Sequence, residues 1–293
     1  MAEYQLKYGS TTATVRQKGA QITSFKGADG REVIWQADPA VWAQHAPVLF
    51  PVCGSVRDNR IRIGGTFYPM PKHGFTREPE FELNHLGEDF VDLVLKDTPD
   101  TRKMYPFSFA FHVTYRLFEG GYTTTFLVEN RSDKTMPVCL GGHPGFACPM
   151  EEGAAFSDYE LIFDKPESGM ICMAPDGYLI DGEEKLAAFT DDHTLPLDHS
   201  LFEKDALLFA GLNSRAVKLV HKTSGKGIYF EFPKMEVLAV WTKPGANAPY
   251  VCLEPWHGMP GRVCDGDDFE TKPYVTLLRP GTVYTSWFTA KLI

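Results

Sequence analysis

The sequence contains no HExxH, no CxxC pair, no GxSxG, no Walker phosphate loop and no GxGxxG following a strand. The usual sequence marks of zinc sites, α/β-hydrolase nucleophiles, nucleotide loops and nicotinamide folds are therefore missing, and neither a cofactor nor a metal is expected. No Ser/Gly linker or low-complexity tract divides the chain, so its 293 residues are expected to form a single domain, 1–293. A net charge of -9 lacks the excess of Lys and Arg that a sequence-independent grip on nucleic acid requires. No run is apolar enough to span a bilayer, and MAEYQLKYGS lacks the cationic start and apolar stretch of a secretory signal, so a cytoplasmic location is expected. The six cysteines fall in no zinc or nucleophile pattern, and reduced, mostly buried thiols are expected of them.

What is present is alternation. Phe90 to Lys96, Phe109 to Leu117, Tyr122 to Glu129, Val217 to His221, Ile228 to Phe232, Val237 to Trp241 and Val283 to Lys291 have a period of two and are rich in Val, Thr, Phe and Tyr. Glu119-Gly120-Gly121 predicts a hairpin, and Arg279-Pro280-Gly281 a turn into the last strand. Helices are expected to be few and short: Asp38-Pro39 caps one candidate, and Ser200 to Glu203 has the spacing of a capping box. Strands with so little helix to cover them must bury their apolar faces on another sheet, which predicts an all-β sandwich.

Glu254 stands alone in the apolar run Val251-Cys252-Leu253-Glu254-Pro255-Trp256. A carboxylate approached through apolar residues and stopped by a proline is expected to be rigid and partly desolvated, with a raised pKa suited to a base. His73 in KHGFTRE and His143 in GGHPGF sit in similarly punctuated segments. Each histidine by itself is as readily structural as functional, but one base with two candidate acids suggests proton transfer without a cofactor. Arg60 could supply fixed donors to ligand oxygens, although alone it reads as a surface arginine. Asp205 could stand at a pocket edge, whereas Asp198 could cap the short helix. Trp256, two residues from Glu254, is the ring favoured for stacking on the C–H face of a sugar.

Taken in order, NRI at 59–61, KHGFTRE at 72–78, GGHPGF at 141–146, DALLF at 205–209 and CLEPWHG at 252–258 resemble the aldose 1-epimerase (galactose mutarotase) family, and most of all its LacX-like branch. The resemblance spans nearly the whole chain. It implies a large antiparallel β-sandwich, a small-molecule aldohexose such as glucose or galactose as substrate, and an isomerase needing no cofactor. By resemblance Glu254 takes the proton from the anomeric hydroxyl O1, His143 protonates the ring oxygen O5, and His73, Arg60 and Asp205 hold the sugar. The string LDHSLF at 197–202 imitates a family motif and keeps Asp198 as an alternative to Asp205. Many relatives carry Gly-Arg where this chain has Gly54-Ser55, and Arg57 is a possible replacement. Two further functions stay open: a hexose-6-phosphate 1-epimerase, for which Arg57, Arg60, Lys72 and Arg77 could gather a phosphate, and a non-catalytic sugar-binding or sensing protein on the same sandwich.

Overall fold

The computed structural model describes residues 2–293. Its longest hairpin shows how the local pattern becomes a sheet. Phe109–Phe118 pairs antiparallel with Gly121–Asn130, Phe118 opposite Gly121 and Phe109 opposite Asn130. Phe109, Phe111, Val113, Tyr115 and Leu117 point inward on one strand, and Tyr122, Phe126 and Val128 on the other. Gly120, at φ +70°, supplies the left-handed turn residue that an L side chain rarely adopts. Both strands extend a residue or more beyond the alternating runs, as do Ala216–His221 and Val283–Leu292, whereas Phe90–Lys96 and Val237–Trp241 keep the expected ends and the run from Ile228 is shifted to Gly227–Glu231.

Two large antiparallel sheets make up the sandwich. The nine-stranded sheet runs Thr194–Pro196, Tyr159–Phe163, Ala216–His221, Gly227–Glu231, Val283–Leu292, Gly121–Asn130, Phe109–Phe118, Phe90–Lys96 and Glu82–Leu86. The eight-stranded sheet runs Glu183–Lys185, Met170–Cys172, Leu207–Ala210, Val237–Trp241, Tyr250–His257, Leu140–Gly142 and Val48–Leu49, with Gly145–Ala147 also pairing Tyr250–His257. Rings cross between the inner faces: Phe146 meets Phe230 at 5.8 Å and Phe163 meets Phe209 at 5.4 Å. At Gly142 the approach is closer still, since a Cβ there would lie 2.6 Å from the Phe288 ring. A three-stranded sheet, Glu3–Tyr8, Thr11–Arg16 and Gln21–Lys26, joins the same core through Phe25, whose ring meets Tyr122 edge-on at 4.9 Å.

Helix is scarce, as expected. The α-helix Pro99–Arg102 is capped by Thr98. The segment after Asp38 does not form the expected helix: the Asp38 carboxylate and carbonyl accept from Ala40, Val41 and Trp42, and the chain then leaves the turn. Trp42 is instead packed against Trp241 and Tyr250, and that tertiary contact prevails over a weak local propensity. His199–Phe202 is a single 3-10 turn, and its cap is Asp198, which accepts from the Ser200 amide. Among the described residues no helix is long and apolar enough to cross a membrane. All six thiols are free, five of them buried and Cys264 exposed.

Every residue of the strand Tyr250–His257 is buried, Glu254 among them. Pro255 does not stop it, contrary to the expectation from the sequence. A proline removes one amide donor from a ladder. Here the ladder along one edge is interrupted without a change of register: Gly141 pairs with Trp256 and Gly145 with Cys252, which sets His143 opposite Glu254 in the gap.

Candidate active site

Alternation along the strand puts Cys252, Glu254 and Trp256 on one face. Glu254 and Trp256 line a cleft of about 240 Å³, and Cys252 lies in the apolar layer beneath with Trp35 and Tyr250. The unbroken register across the gap in the neighbouring strand then sets His143 opposite Glu254. Its amide donates to the Pro47 carbonyl at 2.9 Å, and the Leu253 amide donates to the Pro144 carbonyl at 3.3 Å. His143 Nε2 thereby comes within 3.2 Å of Glu254 Oε2.

That approach lacks the alignment of a hydrogen bond, and both Glu254 Oε2 and His143 Nδ1 are buried without a partner. Glu254 is 2 % exposed. Burial pushes its carboxyl well above the usual range, against the opposing pull of Lys72 and Arg77. Burial, with the cations Arg77 and Lys72 acting in the same direction, lowers His143 to about 3. Both shifts favour a neutral carboxylic acid beside a neutral imidazole over a carboxylate beside an imidazolium. Trp42 stacks on the His143 ring at 5.0 Å, and Trp241 meets it edge-on at 5.7 Å, which fixes the ring plane.

His73 approaches from a turn in which its own φ is +66°. Its amide donates to the Gly54 carbonyl at 2.9 Å, and the Gly54 amide donates back to Nδ1 at 3.1 Å. With Nδ1 accepting, the proton of the neutral ring belongs on Nε2, which becomes a donor. Burial drives its pKa well below the ordinary value, so the ring is a neutral donor at physiological pH. Gly74 permits the turn: at φ +76° a Cβ would lie 1.9 Å from the Phe50 carbonyl oxygen.

Of the two aspartates, Asp205 lines the cleft and Asp198 does not. Arg60 is also outside it. Its guanidinium lies 4.3 Å from the centre of the Phe67 ring and 3.4 Å from Asp58, on the exposed hairpin Arg60–Ile63 and Thr66–Pro69. Arg57 is turned away as well, donating to the carbonyls of Val263 and Asp265. The cations that reach the cleft are Lys72 and Arg77, with the Arg77 guanidinium braced at 2.5 Å on the Lys72 carbonyl. Sequence reasoning gave Arg77 only a conditional role, although its position four residues after His73 in one tight turn was a usable signal. Trp42, Trp241 and Gly177 were missed as cleft residues, and nothing local marks them.

The cleft thus joins an acid-base pair, a neutral imidazole donor, the buried indole N–H of Trp256 beside the Glu254 carboxyl, an aspartate and two cations. It can bind a small polyhydroxyl molecule and move protons at two of its atoms. Residues 2–291 match the family model described as aldose 1-epimerase. The chain is 36% identical over 283 residues to the LacX proteins, plasmid and chromosomal, of Lactococcus lactis subsp. lactis, covering 94% of this chain and 94% of each relative. Among solved structures it resembles a galactose mutarotase related enzyme from Lactobacillus acidophilus, with a TM-score of 0.93 and 29% identity over 100% of this chain and 97% of that one. A galactose mutarotase-like protein from Lactobacillus casei gives a TM-score of 0.93 at 26% identity, with 100% of both chains covered.

Proposed function

The chain belongs to the aldose 1-epimerase family, and from that premise we propose that it interconverts the α and β anomers of a free aldohexose, acting as one domain over residues 1–293. The observation that carries this is the 3.2 Å approach of His143 Nε2 to Glu254 Oε2 in a cleft of monosaccharide size. Glu254, as carboxylate, removes the proton from O1 while the His143 imidazolium gives one to O5. The C1–O5 bond breaks and an open-chain aldehyde results. Rotation about C1–C2 presents the other face of the carbonyl, O5 returns to C1, and both protons retrace their paths.

Burial assists this cycle. Ring opening ends with a neutral carboxylic acid and a neutral imidazole, the pair that a desolvated site favours. The Nε2–H of His73 and the indole N–H of Trp256 supply donors to sugar oxygens, and the Asp205 carboxylate accepts from hydroxyls. No nucleic acid or membrane is required.

Lys72 and Arg77 favour a second substrate, a hexose 6-phosphate, because both line the cleft and either can hold a phosphate oxygen. Asp205 and Glu254 share that cleft and offset the two cations, which supports the uncharged sugar. Anomer exchange of freshly dissolved α-glucose, α-galactose and α-glucose 6-phosphate, followed by proton NMR, separates the two. Faster exchange of the phosphate ester than of any free hexose rejects the free-sugar assignment, and no acceleration of any aldose rejects the function.

A further inference from the structure

We propose that Cys252, His143 and Glu254 form a binding site for a thiophilic divalent cation of the Zn²⁺ type, and that the cation shuts off the proton-transfer pair by occupying it. The inhibitory half rests on the epimerase function proposed above; the binding half does not.

The three ligand atoms, Sγ of Cys252, a ring nitrogen of His143 and a carboxylate oxygen of Glu254, all lie within 4.8 Å of one another. All three residues are buried. The separation of His143 Nε2 from Glu254 Oε2, 3.2 Å, is close to the about 3.3 Å that tetrahedral zinc bonds of 2.0–2.1 Å require between a nitrogen and an oxygen ligand. The Glu254 oxygen has no hydrogen-bond partner, so a cation there meets an unsatisfied acceptor instead of displacing a bond. Cys252 and Glu254 are alternate residues of one strand and share a face, which fixes the sulfur below the carboxylate.

Three protein ligands leave a fourth position, and the cleft above Glu254 is where it opens, toward water or a sugar hydroxyl. Thiolate with imidazole selects Zn²⁺ or Cd²⁺ over Mg²⁺ and Ca²⁺. On binding, the Cys252 thiol and the Glu254 carboxyl release their protons to solvent, and the two anions formed balance the dication. The neutral product suits a buried site, and affinity must rise with pH. With its base ligated and its acid nitrogen blocked, the pair can no longer exchange protons with a hemiacetal.

Calorimetric titration of the full chain with Zn²⁺ alone is expected to give one buried-type site, weakened in Cys252→Ser by more than the about 10–100-fold that losing a mere supporting contact costs. The surface trio Asp191, Asp192 and half-buried His193 is a competing location. His193→Ala must leave the binding intact. Titration of the wild-type chain with Co²⁺ must produce thiolate-to-metal charge-transfer absorption, which needs no variant, and Cys252→Ala gives the same readout as Cys252→Ser should the serine variant not fold. Absence of that absorption, or Zn²⁺ binding equal in wild type and both Cys252 variants, overturns the proposal. Zn²⁺ must also stop anomer exchange in wild type, reversibly on chelation, while Cys252→Ser remains active in its presence; equal inhibition of the two overturns the shut-off. Zn²⁺ binding through Cys252 in a chain that accelerates no aldose leaves the site standing and removes only the epimerase assignment.

Discussion

A Cβ placed on Gly177 would lie 2.0 Å from Oδ2 of Asp205 and 2.5 Å from Nζ of Lys72. The empty space beside this glycine is what lets an acceptor and a cation converge at one edge of the cleft. Gly177 also has φ +62°, where an alanine is strained. Gly177→Ala should therefore displace Asp205 and raise KM by about ten- to hundredfold, the loss of a hydrogen bond to a charged group, with a smaller change in kcat. Initial rates over a range of aldose concentrations check this, and an unchanged KM removes Asp205 from the binding contacts.

Glu254→Gln keeps the shape of the side chain and removes its proton affinity. Anomer exchange should fall by about 10²–10⁴-fold, the usual contribution of a positioned base. Stability should hardly change, because burial already favours the neutral acid and an amide is its near-isostere. Polarimetry and thermal unfolding of the same preparation measure the two effects. Activity retained within tenfold would assign proton removal to another group.

The low pKa of His143 makes a prediction about acid stability. Its folded value, about 3, lies below the ordinary 6.5, so between these values the unfolded chain binds a proton that the folded chain does not. Stability from this group is complete above pH 6.5 and declines as pH falls toward 3, by at most about 1.4 kcal/mol per pH unit. Glu254 acts in the opposite sense, since its raised pKa contributes stability at low pH that is lost as pH rises. His143→Asn removes the histidine contribution. Urea unfolding near pH 7 and pH 5 should show a smaller acid-induced loss in the variant than in wild type, and equal losses refute the shifted pKa.

Arg60, held by Phe67 and Asp58, is not among the residues that line the cleft. Arg60→Ala should leave KM and kcat within about twofold and cost no more than the about 0–1 kcal/mol of a surface ion pair. A tenfold rise in KM would return Arg60 to the substrate contacts and imply that its hairpin closes over the cleft.

The strands were legible from local order. Phe90–Lys96 and Val237–Trp241 have the ends expected from alternation alone, because a period of two is written residue by residue. The helix expected after Asp38 failed for the opposite reason, as Trp42 is held by rings from distant strands.

Of the cleft, the sequence by itself determined which short segments stand out: Glu254 within an apolar strand, and His73 and His143 where glycine and proline interrupt regular structure. Tertiary structure alone decided who meets whom. The break opposite Glu254 turns His143 inward, the turn at His73 delivers Arg77 while Arg60 stays on its hairpin, and strand alternation sets Cys252 under the acid-base pair. Such meetings depend on register between strands far apart in the chain, and no pattern within a single segment encodes that register.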